Sequence, residues 1–246
     1  MPDSPRYQPY QPQLAPAAVA ENVWTVEGPE IDYRLAGLSL PCPTRMTVIR
    51  LGDGTLWVHS PVCFTADLKA HLDALGPVRA IIAPNSFHTS HTHVWADHYP
   101  DADVFAPSAA LGKIACARGR ALDAPLDAGW LAEIDHHFVD LGSFGESLFF
   151  HRASGTLIVT DLMQNFEHER IASPLTRLIL TLGGATGPKG GPSIEIRMAM
   201  LRHRKRVTEA VKTMIAWRPA RILLSHGKCY DGDAGTEIAK AFRWIA

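Results

Sequence analysis

The chain has 246 residues, of which 46% are hydrophobic and 20% are charged, and its formal net charge is −1. This ordinary globular composition excludes a strongly basic nucleic-acid-binding protein and a highly charged disordered one. No apolar run reaches the roughly 18 residues of a transmembrane helix, and the Pro- and Gln-rich start lacks the profile of a secretory signal. We therefore expect a cytoplasmic protein with a small-molecule substrate and no nucleic-acid or membrane partner, while its oligomeric state stays open.

The four cysteines, Cys42, Cys63, Cys116 and Cys229, are far apart and form no CxxC pair. A chain of this length can bury a core of normal size without disulfides. We interpret the cysteines as reduced thiols rather than as a structural zinc site.

The first 60 residues predict an arm followed by strands. Residues 1–20 are rich in proline and predict an extended N-terminal arm with little to bury, and residues 21–246 are expected to form a single domain. Pro41 and Pro43 are expected to break any regular element. A Gly-Asp-Gly turn at 52–54 then joins strands 46–51 and 55–58 in a predicted hairpin that ends at His59.

A cluster of histidines follows a short apolar run at residues 78–83. The run predicts a buried strand that ends at Pro84–Asn85. His88 and His91 come next, one helical turn apart, so both side chains can face one metal ion. His93 and His98 do not share that face on a continuous helix.

A second predicted hairpin brings two carboxylates together. If His151 opposes Thr156 across the turn, paired residue numbers sum to about 307, and Glu146 sits opposite Asp161. Two facing carboxylates repel each other unless a cation or a proton lies between them. A later buried strand at 221–224 ends in Ser-His226-Gly.

The remaining segments predict helices outside two groups of strands. Helices are expected at 67–76 with Thr65 as the cap, at 108–118, as one long helix at 194–217 with a basic run at 202–206, and at 234–245. One group of strands lies near 23–106 and the other near 138–226. Two mixed sheets packed face to face, with helices outside, are the simplest α/β (α+β) arrangement.

This order of segments resembles the metallo-β-lactamase fold superfamily over residues 22–240. The segments that carry the resemblance are TLWVHSPV, RAIIAPNSFHTSH, SLFFHRASGTLIVTDL and ILLSHG. The resemblance implies a four-layer αββα sandwich with metal ligands at strand ends along one edge. It also implies that Asp161 corresponds to the bridging aspartate and His226 to the final histidine of that superfamily.

The chain departs from the superfamily pattern at three places. The HxHxDH motif is absent, and a Pro-Asn-x-x-His motif stands in its place. This pattern resembles one branch of the superfamily, and the resemblance to that branch implies no particular reaction. The middle histidine is also missing, and Glu146 is the nearest candidate for its place. His59 stands where an aspartate is usual.

These observations define the candidate site. The predicted catalytic residue is Asp161, and we expect no cysteine thiolate among the ligands. The predicted metal ligands are His88, His91, Glu146, Asp161 and His226. The predicted alternative ligands, or residues that hydrogen-bond a ligand, are His59, Asn85, His93 and His98.

Mixed nitrogen and oxygen ligands suit one or two zinc ions, and the carboxylates also admit iron or manganese. The first functional hypothesis is a metal-dependent hydrolase that cleaves a small ester, lactone, thioester or phosphoester. The alternatives are a non-catalytic binding protein with a degenerate metal site and a di-iron redox protein.

Overall fold

A computed structural model describes residues 6–35, 38–116, 118–142, 144–187 and 190–245. Its first sheet has seven strands in the order β1 to β7. Their bounds are Pro16–Ala20 (β1), Val23–Leu35 (β2), Leu38–Arg50 (β3), Leu56–His59 (β4), Val78–Ile82 (β5), Asp103–Ala106 (β6) and Gly119–Ala121 (β7). Strands β1 to β4 pair antiparallel, and β4 to β7 pair parallel.

The second sheet has five strands in the order β12-β11-β10-β9-β8. Their bounds are Ile134–Asp140 (β8), Gly145–His151 (β9), Thr156–Val159 (β10), Arg221–Leu224 (β11) and Tyr230–Asp231 (β12). Thr156 of β10 lies opposite His151 of β9, so the predicted register of this hairpin is confirmed. Strand β10 pairs parallel with β11, so the residues that follow both strands meet at one edge.

Seven helices cover the outer faces of the described chain. Their bounds are Ala66–Leu75 (α1), Thr92–His98 (α2), Ser108–Ile114 (α3), Pro174–Gly183 (α4), Ile194–Arg202 (α5), Arg204–Ala216 (α6) and Ala234–Phe242 (α7). The predicted cap of α1 is confirmed, since the Thr65 hydroxyl accepts a hydrogen bond from the Leu68 amide at 3.1 Å. In the part of the chain that the structure describes, no helix is both long and apolar enough to span a bilayer.

Three buried clusters show the four layers. Val58 of the first sheet packs with Leu68 and Trp95 from the helices on its outer face. A second cluster joins both sheets and contains Trp57 and Phe149. A third cluster joins the second sheet to helices α5, α6 and α7. The predicted αββα sandwich is therefore confirmed.

The structure corrects the prediction that Pro41 and Pro43 end a regular element, because β3 runs through both of them. In this part of the strand, β3 pairs with β2 alone, whereas β4 joins it only from Thr47 onward. An edge position tolerates residues without an N–H group, since that side of the strand makes no ladder bonds.

The structure also corrects the helix predicted at 194–217 and the arm predicted to bury little. The helix is interrupted at His203, which separates α5 from α6. In the arm, whose residues 1–5 lie outside the described residues, Tyr7 is 1% exposed and packs edge-on against Phe166. The backbone of the arm also hydrogen-bonds residues 170 and 172, so residues 6–20 belong to the folded body.

Candidate metal centre

Three strand ends bring the central side chains together. His88 follows β5 of the first sheet, whereas Asp161 and His226 follow β10 and β11 of the second. The Ser147 amide donates to the Pro84 carbonyl at 2.9 Å, which joins the two sheets beside the site. The site therefore lies at the edge where both sheets present the carboxyl ends of their parallel strands.

His88, Asp161 and His226 form a compact triad. Nε2 of His88 lies 3.2 Å from Oδ2 of Asp161, and Nε2 of His226 lies 3.3 Å from Oδ1 of the same carboxylate. The two Nε2 atoms are 3.2 Å apart. Among the described residues, this is the only group of three or more His, Cys, Asp or Glu residues whose donor atoms lie within 4.8 Å of one another.

The outer nitrogen of each imidazole has a partner that fixes the ring. Nδ1 of His226 lies 2.7 Å from the Pro43 carbonyl oxygen, and Nδ1 of His88 lies 2.6 Å from the Ser60 hydroxyl. A carbonyl oxygen only accepts hydrogen bonds, so Nδ1 of His226 is the donor. In the neutral ring Nε2 then keeps its lone pair, which is the form that binds a metal.

The Asn85 side chain binds both the turn that carries His88 and the Asp161 carboxylate. Its side-chain oxygen accepts from the amides of Phe87 at 2.8 Å and His88 at 3.1 Å. Its side-chain amide donates to Oδ2 of Asp161 at 2.8 Å, and the Gln164 amide donates to Oδ1 of Asp161 at 3.2 Å. Asn85 thus positions two of the three central residues without exposing its own side chain.

Glu146 is placed in a different role from the predicted one. Its Oε1 accepts from the Thr160 amide at 2.8 Å, and its Oε2 accepts from the amides of Asp161 at 2.8 Å and Leu162 at 3.0 Å. Oε2 also lies 3.3 Å from the Asn85 side-chain amide. Glu146 is close to Asp161, as the hairpin register predicted, but it holds the backbone of the strand end and stands outside the triad.

The other predicted residues lie around the triad or away from it. His91 is half-buried in the wall of the adjoining cavity and stands outside the triad. His93 is exposed on α2, and His98 is exposed and stacks on Phe64 with ring centroids 3.9 Å apart. His59 is 1% exposed, stacks on Trp57 and has no hydrogen-bond partner at either ring nitrogen.

The charges of the site favour an ionised aspartate. Burial alone raises the pKa of the Asp161 carboxyl, but His88 and His226 lower that pKa well below its ordinary value. Burial lowers the pKa of His226, whereas Cys42 and Asp161 raise it above its ordinary value. Burial and the Asp161 carboxylate raise the pKa of Glu146. Of the two neighbouring acids, Asp161 is therefore the one that carries the negative charge.

Gly227 fixes the strand end that carries His226. Its φ is +85°, and a Cβ atom added there would lie 2.0 Å from the Asn165 carbonyl oxygen. The guanidinium of Arg45 donates to the Leu224 carbonyl at 2.5 Å and to the Gly227 carbonyl at 2.7 Å, so it binds the chain on both sides of His226.

Sequence reasoning missed Ser60, Cys42 and Gln164. Cys42 is 184 residues from His226 in sequence, yet its Sγ lies 3.2 Å from Nδ1 of that ring. Cys42 is far in sequence from each member of the triad, so its distance along the chain did not mean distance in space. Ser60 carried a local signal, since it follows the strand end at His59, and its φ of +53° is rare for a residue with a side chain.

The triad fits a metal ion. Nitrogen and oxygen ligands about 2.1 Å from a tetrahedral metal lie roughly 3.4 Å from one another. The two Nε2 atoms are 3.2 Å apart, close to that value, and each lies 3.2 or 3.3 Å from a different oxygen of the Asp161 carboxylate. Two imidazoles and one carboxylate form a ligand set of zinc and of non-haem iron.

A cavity of about 560 Å³ opens onto the triad. His88, Asp161 and His226 lie in its wall, together with Cys42 and His91. The other walls come from the β2–β3 hairpin, the turn after β5, and helices α4 and α5. The volume is within the range of small-molecule sites.

The chain was compared with protein families and with curated proteins. Residues 20–174 match the family model described as a domain of unknown function (DUF4336). A comparison with curated protein sequences found no match.

Solved structures are similar over nearly the whole chain. A metallo-β-lactamase from Hirschia baltica has a TM-score of 0.57 and 14% identity, with 94% of this chain and 96% of that chain covered. Rubredoxin oxygen:oxidoreductase from Desulfovibrio gigas has a TM-score of 0.64 and 10% identity, with 94% of this chain and 61% of that chain covered. The metal-soaked Flv1 flavodiiron core from Synechocystis sp. PCC6803 has a TM-score of 0.61 and 12% identity, with 98% and 62% covered. These likenesses show the metallo-β-lactamase fold.

Proposed function

Because the chain belongs to the DUF4336 family and has the metallo-β-lactamase fold, we propose that it is a hydrolase whose single metal ion is held by His88, Asp161 and His226. The observation that carries this proposal is the convergence of two Nε2 atoms and one carboxylate at separations of 3.2 to 3.3 Å beside a cavity. The four free cysteines suit a reducing compartment, and the proposal includes a cytoplasmic location.

A single ion fits better than two. A second ion beside Asp161 would need a second set of ligands, and the described residues hold no second converging group of His, Cys, Asp or Glu donor atoms. The side chains of Glu146 and Asn85, which lie close to Asp161, are already engaged. The Glu146 carboxylate accepts from three backbone amides, and the Asn85 amide nitrogen, which has no lone pair to offer, faces Asp161. The same observation disfavours the di-iron redox alternative, which needs further ligands.

When bound, the metal supplies Lewis acidity, which polarises a carbonyl oxygen and lowers the pKa of water toward about 7. The protein's own residues supply orientation. Ser60 and the Pro43 carbonyl hold the two imidazoles, whereas Asn85 and Gln164 hold the Asp161 carboxylate from either side. Substitution of residues that orient ligands in this way typically lowers metal affinity 10- to 100-fold.

The proposed reaction adds one water across the scissile bond of an ester, lactone or thioester. The acyl carbon gains the hydroxyl group and the leaving oxygen or sulfur gains the hydrogen, so the products are a carboxylic acid and an alcohol or thiol. We propose zinc as the metal, because His₂-carboxylate sets with an open position are zinc hydrolase sites. Iron and manganese are the competing metals for these ligands.

Elemental analysis of tag-free protein tests the proposal. We expect one equivalent of metal in the wild type and less than a tenth of an equivalent in Asp161→Asn and in His226→Ala. His93→Ala is the matched control, because His93 is exposed and outside the triad, and it should keep its metal. The loaded wild type should hydrolyse aliphatic esters, and chelation should abolish the activity.

Two outcomes would overturn parts of this proposal. Wild-type protein that takes up no stoichiometric metal after incubation with zinc, iron(II) or manganese(II) would leave a non-catalytic binding protein. Two equivalents of iron with a redox-active signal, lost together in Asp161→Asn, would establish the di-iron alternative.

A further inference from the structure

The cavity next to the triad has mostly apolar walls. Its walls contain aliphatic and aromatic side chains from five separate segments of the chain. Six of these residues are Leu40, Phe87, Phe166, Ile179, Leu180 and Ile196. Walls of this kind bind a ligand mainly by removing apolar surface from water.

The described wall contains no lysine or arginine, and its two acidic side chains outside the triad are already engaged. Oε1 of Glu195 accepts from the Tyr33 hydroxyl at 2.9 Å and from the Ser193 hydroxyl at 2.7 Å. Asp32 forms an ion pair with Arg6 outside the cavity. Away from the triad, a phosphate or carboxylate group in this space would therefore find no positive partner, which disfavours a substrate that carries an anionic group along its chain.

The mouth of the cavity is also apolar. Leu182 near the end of α4 is 76% exposed and Ile194 at the start of α5 is 47% exposed, and both line the cavity. Large exposed aliphatic side chains beside a pocket extend its apolar surface outward. A ligand that continues beyond the enclosed space would remain in contact with them.

From these observations, and resting on the proposed function, we propose that the substrate is a neutral ester, thioester or lactone with an aliphatic chain. The carbonyl group would lie at the polar end of the cavity, beside His88, Asp161 and His226. The alkyl chain would occupy the space between Leu40, Phe166 and Leu180. The leaving group is not specified by the cavity, because the mouth is open to solvent.

Cys42 gives a readout of ligand binding that is independent of hydrolysis. Its Sγ lies at the triad end of the cavity, 3.2 Å from Nδ1 of His226. A ligand in the cavity should shield this thiol from iodoacetamide, whereas Cys63 and Cys116 lie outside the cavity and report general reactivity. Mass spectrometry resolves the rates at the separate cysteines in one sample.

The probes are the methyl ketones from 2-hexanone to 2-dodecanone, which resemble methyl esters but cannot be hydrolysed, added to metal-free protein in the presence of EDTA. Each added methylene that becomes buried should tighten binding about threefold to fourfold until the cavity is filled. The concentration that halves the Cys42 alkylation rate should fall accordingly.

Matched variants test where the aliphatic chain of the ligand lies. Leu182→Gln with Ile194→Gln should weaken protection by the longest ketone about tenfold, since both side chains line the mouth. Leu175→Gln with Met198→Gln places the same change on the same two helices, at residues 65% and 54% exposed that do not line the cavity, and should leave protection unchanged.

The outcomes separate this inference from the proposed function. Protection that does not depend on chain length, or equal losses in both double variants, would overturn the aliphatic ligand. Chain-length-dependent protection without hydrolysis by the metal-loaded protein would support the ligand and overturn the hydrolase. Hydrolysis of short esters without any preference for chain length would support the hydrolase and overturn the ligand proposed here.

Discussion

At the scale of single residues, the molecule keeps several histidines neutral by burying them. His136 is one that lies outside the metal centre. Its ring stacks on Phe149 with centroids 5.1 Å apart, and its Nε2 lies 3.0 Å from the Ser147 hydroxyl. Burial lowers the pKa of His136 to about 4. The folded protein therefore resists protonating this ring at a pH where the unfolded chain takes up the proton.

His136 should make the protein less stable in mild acid. The unfolded ring binds a proton below about pH 6.5, and the folded ring binds it only near pH 4, so the free energy of unfolding falls as the pH drops through this window. We expect His136→Gln to remove about 2 kcal/mol of the acid-induced loss between pH 7 and pH 4.5, as measured by urea denaturation.

The control for this prediction is His71→Gln, since His71 is exposed on α1. That variant should retain the wild-type dependence on pH. An unchanged pH dependence in His136→Gln would mean that other buried histidines account for the whole loss.

At the scale of elements, one buried ion pair fastens β2 and β3 to the loop that carries His226. Nε of Arg45 lies 2.5 Å from Oε1 of Glu27, and the two side chains are 5% and 12% exposed. The same guanidinium donates to the carbonyls of Leu224 and Gly227. The pair therefore connects the first sheet to the end of β11 in the second.

Removing Arg45 should be costly, because Glu27 would keep a buried charge without a partner. We expect Arg45→Met to lower the free energy of unfolding by about 3–5 kcal/mol, and the double variant Glu27→Gln with Arg45→Met to lose less. Urea denaturation at neutral pH measures both. Arg79→Met is the matched control, since Arg79 and Asp101 form an exposed pair worth less than about 1 kcal/mol. A loss as small as the control's would show that the buried pair contributes little.

Some of the helices, strands and pairings could be predicted from the sequence, and others could not. The hairpin register at His151 and Thr156, the strand ends at Asp161 and His226, and the two groups of strands followed from local patterns. Local patterns could not show that β3 has a free edge at Pro41 and Pro43, because that depends on which strands lie beside it.

The composition of the site depended on contacts distant in sequence. Glu146 was predicted from its closeness to Asp161, but whether it faces a metal or the backbone depends on the turn after β10, which no pairing rule specifies. Ser60 and Cys42 reach the triad from the first sheet through packing between the sheets. The only local signal for Ser60 was its place after a strand end, and the sequence neighbours of Cys42 gave no indication of its contact. The assignment of His91 as a metal ligand stays a prediction.

At the scale of the whole molecule, the triad joins the two sheets. His88 comes from the first sheet, whereas Asp161 and His226 come from the second. A metal ion bound by all three would cross-link the two halves of the sandwich, and it would bind the folded chain in preference to the unfolded one.

Metal binding should therefore raise thermal stability. At a free metal concentration 100 times the dissociation constant, the gain is about 2.7 kcal/mol, which corresponds to roughly 5–10 °C in Tm for a chain of this size. Differential scanning calorimetry with and without chelator measures the shift. Asp161→Asn should show no shift at the same metal concentration, and an equal shift in that variant would place the bound ion elsewhere.

The long interval between the ligands also has a consequence during synthesis. His226 is made 138 residues after His88, which takes about 7 to 28 seconds on a ribosome. Until then the chain offers one ligand of the three or, later, two. The complete triad therefore becomes available only after β11 and His226 have been translated.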